Sequence, residues 1–282
     1  MLDVFTPLSA DAQRASRDAY RQFLTERNGA ADVQNRILAR REERMTHYAR
    51  PLPRVREIDR PAFLEQYARF DPRRKMSREA LLLMALVRIN GAEAYAVDEH
   101  FDTAYQRALS GQDDLEVLLH IEETYHTRIL LSSAVLYGLD ITAPYVPPLS
   151  LRALIGSITR GPDVLSRPLI LAGEIVGTST FLNLLYATRE ILKHDPELRD
   201  AIEERLTEVL IDEIGHISFN RMLLSRSGLR RARWLLPLVA AGSAATVPVL
   251  GAIGLRTLAD DATTVTTTSR LPEAVRRAAF VC

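Results

Sequence analysis

Two Glu-x-x-His steps carry the plainest chemical potential in this chain. They are Glu123-Thr-Tyr-His126 and Glu213-Ile-Gly-His216, each preceded by a second acid, Glu122 and Asp212. On a helix, residues three apart share a face, so each step sets a carboxylate oxygen beside an imidazole nitrogen. Two such steps on facing helices, joined by one inward Glu from each of two further helices, make a six-ligand site for a pair of metal ions. The chain holds six His and nineteen Glu in 282 residues, a composition in which two such steps coincide by chance roughly once in twenty times. The weight therefore falls on whether two more glutamates stand where the geometry needs them.

Those glutamates require four helices. From Ser77 to Ala108, Leu82, Leu86, Ile89, Val97 and Ala104 repeat at helical spacing on one stripe. A second helix starts at Asp113, with Glu116 placed to complete a capping box, and runs to Gly138. A third spans Pro168 to about Lys193, and a fourth follows at once, with Asp195 as N-cap, Pro196 at the first helical position and an end near Leu224. Residues 139–167 hold Pro144, Pro147, Pro148, Pro162 and a short apolar piece, Leu151–Ile158, so the second and third helices are joined by a long crossing. No segment alternates with period two between turn signals. The pattern predicts an all-α fold: two antiparallel hairpins with one long connection.

Glu174 is the only charged side chain from Pro168 to Thr188, among Leu169, Ile170, Leu171, Ile175, Val176 and Phe181. A lone carboxylate on an apolar helix must be paired, protonated or metal-bound, because desolvating it unaided costs several kcal/mol. On the first helix, Glu93 falls on the stripe through Leu86, Ile89, Val97 and His100, whereas Glu99 shares a face with Arg88, Asp102 and Gln106. Glu93 is the better inward residue. The expected ligands are thus Glu93, Glu123, His126, Glu174, Glu213 and His216, with oxygen and imidazole donors that suit iron, or manganese, better than structural zinc. Glu122 and Asp212 are placed to accept the second ring N–H of the histidine on the facing helix, the alternative being solvated charges. Thr178, one turn after Glu174, either donates at an oxygen-binding face or bonds its own helix carbonyl. His100, His120, Tyr95, Tyr125 and Tyr186 are candidates for a cavity lining, with core packing as the default.

These residues resemble the ferritin-like di-iron carboxylate superfamily over roughly Ser77 to Leu224. The intervals between successive glutamates are similar to those of the demethoxyubiquinone hydroxylases, and the chain length and flanking segments look more like the p-aminobenzoate N-oxygenase-like proteins. The resemblance implies a ferritin-like four-helix bundle with flanking helices and two iron ions that activate dioxygen. It also implies hydroxylation or oxidation of a small, largely apolar organic substrate, with electrons from a donor such as a ferredoxin or reductase. The superfamily also contains metal-handling proteins without organic turnover. The chain departs from the N-oxygenase pattern at Val209, where a further histidine ligand would stand.

Lys+Arg and Asp+Glu balance at 36 each, so no net field favours nucleic acid, and none is expected as a partner. The one cysteine, Cys282, excludes an internal disulfide framework. Met1-Leu-Asp-Val-Phe-Thr-Pro lacks a secretory pattern, which makes the cytoplasm the expected location. Trp234 to Leu255 carries no charge, long enough for a span but rich in Pro and Gly, so it is either a helix packed on the bundle, an interfacial helix at a membrane, or an anchor. The expected organisation is an N-terminal helical extension over 1–75, the bundle over 76–230, the apolar helix over 231–258 and a polar tail over 259–282. Residues 11–48 look like one or two surface helices broken near Asn28-Gly29. The oligomeric state stays open, a homodimer among the options.

Overall fold

The computed structural model describes residues 4–111, 114–159, 161–255 and 270–282. It is mostly helical. The N-terminal segment forms α1 (Ala10–Asn28), opened by Ser9 Oγ accepting from the Ala12 N–H and closed at Gly29, whose φ of 72° few other residues tolerate. A two-residue antiparallel ladder, β1 (Ala31–Asp32) with β2 (Ile37–Leu38), then turns the chain into α2 (Ala39–Tyr48), followed by α3 (Arg60–Ala68).

Four helical columns come next. The first splits in two, α4 (Arg78–Ile89) and α5 (Gly91–Leu109), where one continuous helix was expected. The cause lies in the crossing segment: a Cβ on Gly91 would sit 2.3 Å from the Tyr145 carbonyl oxygen, so the backbones touch there. The Asn90 side chain donates to Thr127 Oγ1 at 2.9 Å and ties the break to the second column. That second column is α6 (Leu115–Leu131), tightened into a 3₁₀ turn over Ser132–Tyr137 and ended by Gly138 at φ 63°. The expected cap at Asp113 lies outside the described residues. Glu116, expected to reach back to it, instead pairs with Arg107 and Arg167.

The long crossing folds part of itself into α7 (Leu149–Thr159), which packs on α5. The third column, α8 (Asp163–Ile191), begins five residues before Pro168, where its start was expected. Pro168 has no N–H for the Val164 carbonyl, and Arg231 donates to that oxygen instead at 2.9 Å, so the helix tolerates the proline. The fourth, α9 (Pro196–Met222), is capped by Asp195 accepting from the Leu198 N–H. α5 lies on α6, α8 on α9, α4 on α8 and α6 on α9.

Two flanking layers cover these columns. α1 packs on α9 and α2 on α6, seated by a small cluster of Tyr20, Leu24, Leu115, Leu119, Phe219 and Met222. On the other side, α10 (Arg226–Thr246) buries Leu229, Ala232, Leu236 and Ala240 against the core and leaves Trp234 80% exposed. The apolar 234–255 segment is interrupted at Val247 before α11 (Pro248–Ala252). Two other stretches, 78–109 and 163–191, are long and apolar enough to cross a membrane; both lie mostly inside the fold. The C-terminal α12 (Glu273–Ala278) leads to Phe280, which packs on Tyr20.

Candidate metal centre

Helical spacing does what the two Glu-x-x-His steps require. Glu123 and His126 on α6 face Glu213 and His216 on α9, and one ligand atom from each lies within 4.8 Å of all the others. Glu93 from α5 and Glu174 from α8 join Glu123 in a second group that meets the same limit. The structure thus brings all six expected ligands together, with Glu123 common to both groups. Glu99 lies on the exposed face of α5. Glu93 and Glu174 are half-buried at a cavity that also reaches the buried Glu123, whereas His126, Glu213 and His216 are sealed in.

The outer acids are used crosswise. His126 on α6 places Nε2 3.2 Å from Asp212 Oδ2 on α9, and His216 on α9 places Nε2 3.3 Å from Glu122 Oε2 on α6. Carboxylates accept, so each Nε2 carries an N–H; the neutral ring then turns an Nδ1 lone pair inward, and the imidazolium a second N–H. In the neutral form that lone pair meets carboxylate lone pairs. His126 Nδ1 is 2.8 Å from Glu123 Oε2 and 3.1 Å from Glu213 Oε1, and His216 Nδ1 is 2.5 Å from Glu123 Oε1. His126 Nδ1, His216 Nδ1, Glu123 Oε2 and Glu213 Oε1 are buried without a hydrogen-bond partner. Acceptors at such separations repel unless a cation or a proton stands between them. Described residues thus form a buried Glu/His cluster that can hold a metal ion.

Behind the outer acids stand cations from the N-terminal segment. Arg41, 1% exposed, donates through Nη2 to Asp212 Oδ1 at 2.7 Å and Glu122 Oε1 at 3.0 Å, through Nη1 to Glu208, and through Nε to Asn28 Oδ1. Asn28 Nδ2 donates to Glu122 Oε1 at 2.7 Å, Arg27 pairs with Asp212 and Glu208, and Arg44 pairs with Glu208. Each outer acid therefore spends one oxygen on the arginine side and the other on a histidine. Three arginines face three acids, so this layer is neutral by itself. The inner layer holds four carboxylates and, among the described residues, no Lys or Arg partner, a charge that two divalent ions would balance.

The acid–base behaviour follows the same division. Burial, then the charges of Glu123 and Glu213, pushes the Glu93 and Glu174 carboxyls well up, and burial also raises Glu213. Burial works against Asp212 ionising too, but Arg27, Arg41 and His126 overcome it and hold that carboxyl well below its usual range. Without metal, burial disfavours the charged form of both histidines; Glu123 and their outer acids outweigh it and raise both well above an ordinary imidazole.

A cavity of about 410 Å³ opens onto Glu93, Glu123 and Glu174. Ala96, Val97, Leu119, Ile170 and Phe219 form its apolar walls, while Glu99, Arg107, Glu116 and Arg167 gather toward the outside. His100 and His120 both line it. Since a carbonyl only accepts, His120 Nδ1 donates to the Glu116 carbonyl at 2.6 Å. Asn220, absent from the sequence expectations, donates to Glu174 Oε1 at 3.3 Å from one turn beyond His216. Glu43, Arg44, His47, Glu204 and Glu208 line a wider cleft of about 640 Å³ that reaches no ligand.

Other expected residues sit elsewhere. The Thr178 hydroxyl donates to the Glu174 carbonyl of its own helix at 2.7 Å and is fully buried. Tyr125 donates to Glu42 and accepts from the Leu38 N–H, pinning α2 to α6. Tyr95 bonds Glu99, and Tyr186 bonds the Arg270 carbonyl. Val209 is fully buried in the core. Sequence reasoning missed Arg27, Asn28, Arg41, Arg44 and Glu208; the Asn28-Gly29 break was the one local signal nearby. Neither family models nor curated proteins match the sequence, and no solved structure matches the fold.

Proposed function

We propose that the protein is a ferritin-like di-iron oxidoreductase that uses dioxygen to hydroxylate or oxidise a small, largely apolar organic molecule. The observation that carries this reading is the inner layer: four carboxylates and two imidazoles that converge inside the bundle, beside a cavity that reaches three of the glutamates. Glu93, Glu123, His126, Glu174, Glu213 and His216 would hold two iron ions, manganese being the other metal suited to these donors. Bound iron supplies dioxygen chemistry that no side chain here performs.

The chain's own contribution is geometric. The outer acids keep each Nδ1 lone pair directed inward. Asn220 holds one oxygen of Glu174 and so limits the swing of that carboxylate at the cavity floor. The apolar walls exclude water from a substrate, and a volume of about 410 Å³ accommodates a small organic molecule. Repeated turnover requires an external electron donor such as a ferredoxin or reductase.

Protein from iron-supplemented culture should contain about two irons per chain. After anaerobic reduction and exposure to ¹⁸O₂, a panel of small apolar compounds should yield a labelled or oxidised product. Less than one iron or manganese per chain, unchanged by Glu123→Ala, would sink the proposal. Glu99 and Asp163, acids lining the cavity besides the Glu116 that Arg107 and Arg167 neutralise, favour a second reading, iron handling without organic turnover. Many-fold ferrous oxidation with no organic product across the panel would select it.

A further inference from the structure

Resting on the di-metal reading, a finer assignment concerns how both histidines are kept in a metal-binding form. Neutral imidazole carries one N–H, and whichever nitrogen holds it cannot bind metal. His126 and His216 bind through Nδ1 only while Asp212 and Glu122 are turned to accept from Nε2. Arg27 reaches Asp212 but not Glu122, and Asn28 bonds Glu122 but not Asp212. Among the described residues, Arg41 alone bonds both, with a single Nη2 nitrogen donating to each.

We propose that Arg41 is a positioning residue that sets the tautomer of both metal-binding histidines at once. Three features of the contact set support this. A guanidinium offers only N–H donors, so each carboxylate oxygen that meets Nη2 is fixed as an acceptor. Its fork is planar and anchored at the other two nitrogens, by Asn28 through Nε and Glu208 through Nη1, which fixes the direction in which Nη2 points. Each outer acid has its second oxygen committed to a histidine, so a change in its tilt is passed on to the ring. A lysine ammonium is a compact point charge on a flexible stem and cannot reproduce that anchored fork. Charge alone is therefore insufficient.

Zinc(II) serves as a diamagnetic probe of the full-length protein, read by ¹⁵N correlation of selectively labelled histidine side chains and by competitive zinc titration. In the wild type, His126 and His216 should both show protonated Nε2 and metal-bound Nδ1. Arg41→Lys should disturb both rings and weaken zinc binding by roughly 10- to 100-fold, the usual range for partners that orient a ligating histidine. Arg27→Lys should move His126 alone, while Asn28→Ser, which removes a bond to Glu122 and one anchor of the Arg41 fork, should move both rings. Arg44→Gln, whose bond is to Glu208, should move neither.

A folded Arg41→Lys with unchanged histidine signals and affinity would overturn the assignment. If Arg41→Lys fails to fold, the Arg27 and Asn28 variants decide. A response of His126 alone to Arg27→Lys with a two-ring response to Asn28→Ser supports the relay, and any other pattern refutes it. Wild-type protein that binds no zinc, iron or manganese removes the di-metal reading, and this assignment falls with it. Wild-type binding with an indifferent Arg41→Lys removes only the assignment.

Discussion

Two sets of acids lie on either side of the histidine pair, and they behave in opposite ways. Glu122, Glu208 and Asp212 have guanidinium partners from α1 and α2. Glu93, Glu123, Glu174 and Glu213 have none among the described residues, and three of them resist ionisation in the metal-free state. Residue type does not separate the two layers, and burial does so only for Glu93 and Glu174 at the cavity; what stands behind each carboxylate does. The outer layer is a finished structure, and the inner one is a demand for positive charge.

The largest test of that contrast is Glu123→Ala, because Glu123 belongs to both ligand groups. Metal content should fall from about two ions per chain to below one, as measured by elemental analysis of folded protein. Next, removing one member of the outer layer should destabilise. Asp212→Ala leaves Arg27 and Arg41 short of a partner, at a cost of about 3–5 kcal/mol, readable as a drop in the denaturant midpoint.

Glu174→Gln should do the reverse to metal-free protein. It replaces a carboxyl that burial and Glu123 already keep from ionising, so stability should hold or rise by about 1 kcal/mol while metal affinity falls. If both substitutions destabilise equally, the division into two layers is wrong. pH offers a milder probe. His126, His216, Glu93, Glu174 and Glu213 all have raised pKa values without metal and must lose protons to ligate. Metal binding should release protons near neutrality, and affinity should rise with pH. Calorimetry in buffers of different ionisation enthalpy measures this, and proton uptake would contradict it. The smallest effect should come from Thr178→Val. Its hydroxyl serves its own helix, so metal content should not change and stability should shift by about 1 kcal/mol or less. A large loss of turnover with metal retained would instead restore Thr178 to the reaction.

The inner layer was legible in the sequence because it is written in local spacing. Glu123 and His126 are three apart, and Glu174 stands alone on an apolar helix, so one helix at a time reveals each ligand. The crossed use of Glu122 and Asp212 followed from their position one residue before each ligand. The outer cations were not legible. Arg41 lies among Arg36, Arg40 and Arg44 in a polar stretch, and nothing within a turn or two distinguishes the arginine that is 1% exposed from its neighbours. Its burial is decided by α6 and α9, far along the chain. The break at Asn90 and the early start of α8 have the same origin: each depends on a distant partner, Tyr145 in one case and Arg231 in the other.

That distance has a consequence for how the protein comes into being. Arg41 and Asp212 are separated by 171 residues, and a ribosome adding about 5–20 residues per second makes the second roughly ten to thirty seconds after the first. Until then the arginines of the N-terminal segment lack one of the acids they pair with. The closing contacts are among the longest-range in the chain, the kind that form late because their loop entropy must be overcome first. The arginines that seal the centre are thus made well before Asp212, and the seal can close only once α9 has been synthesised.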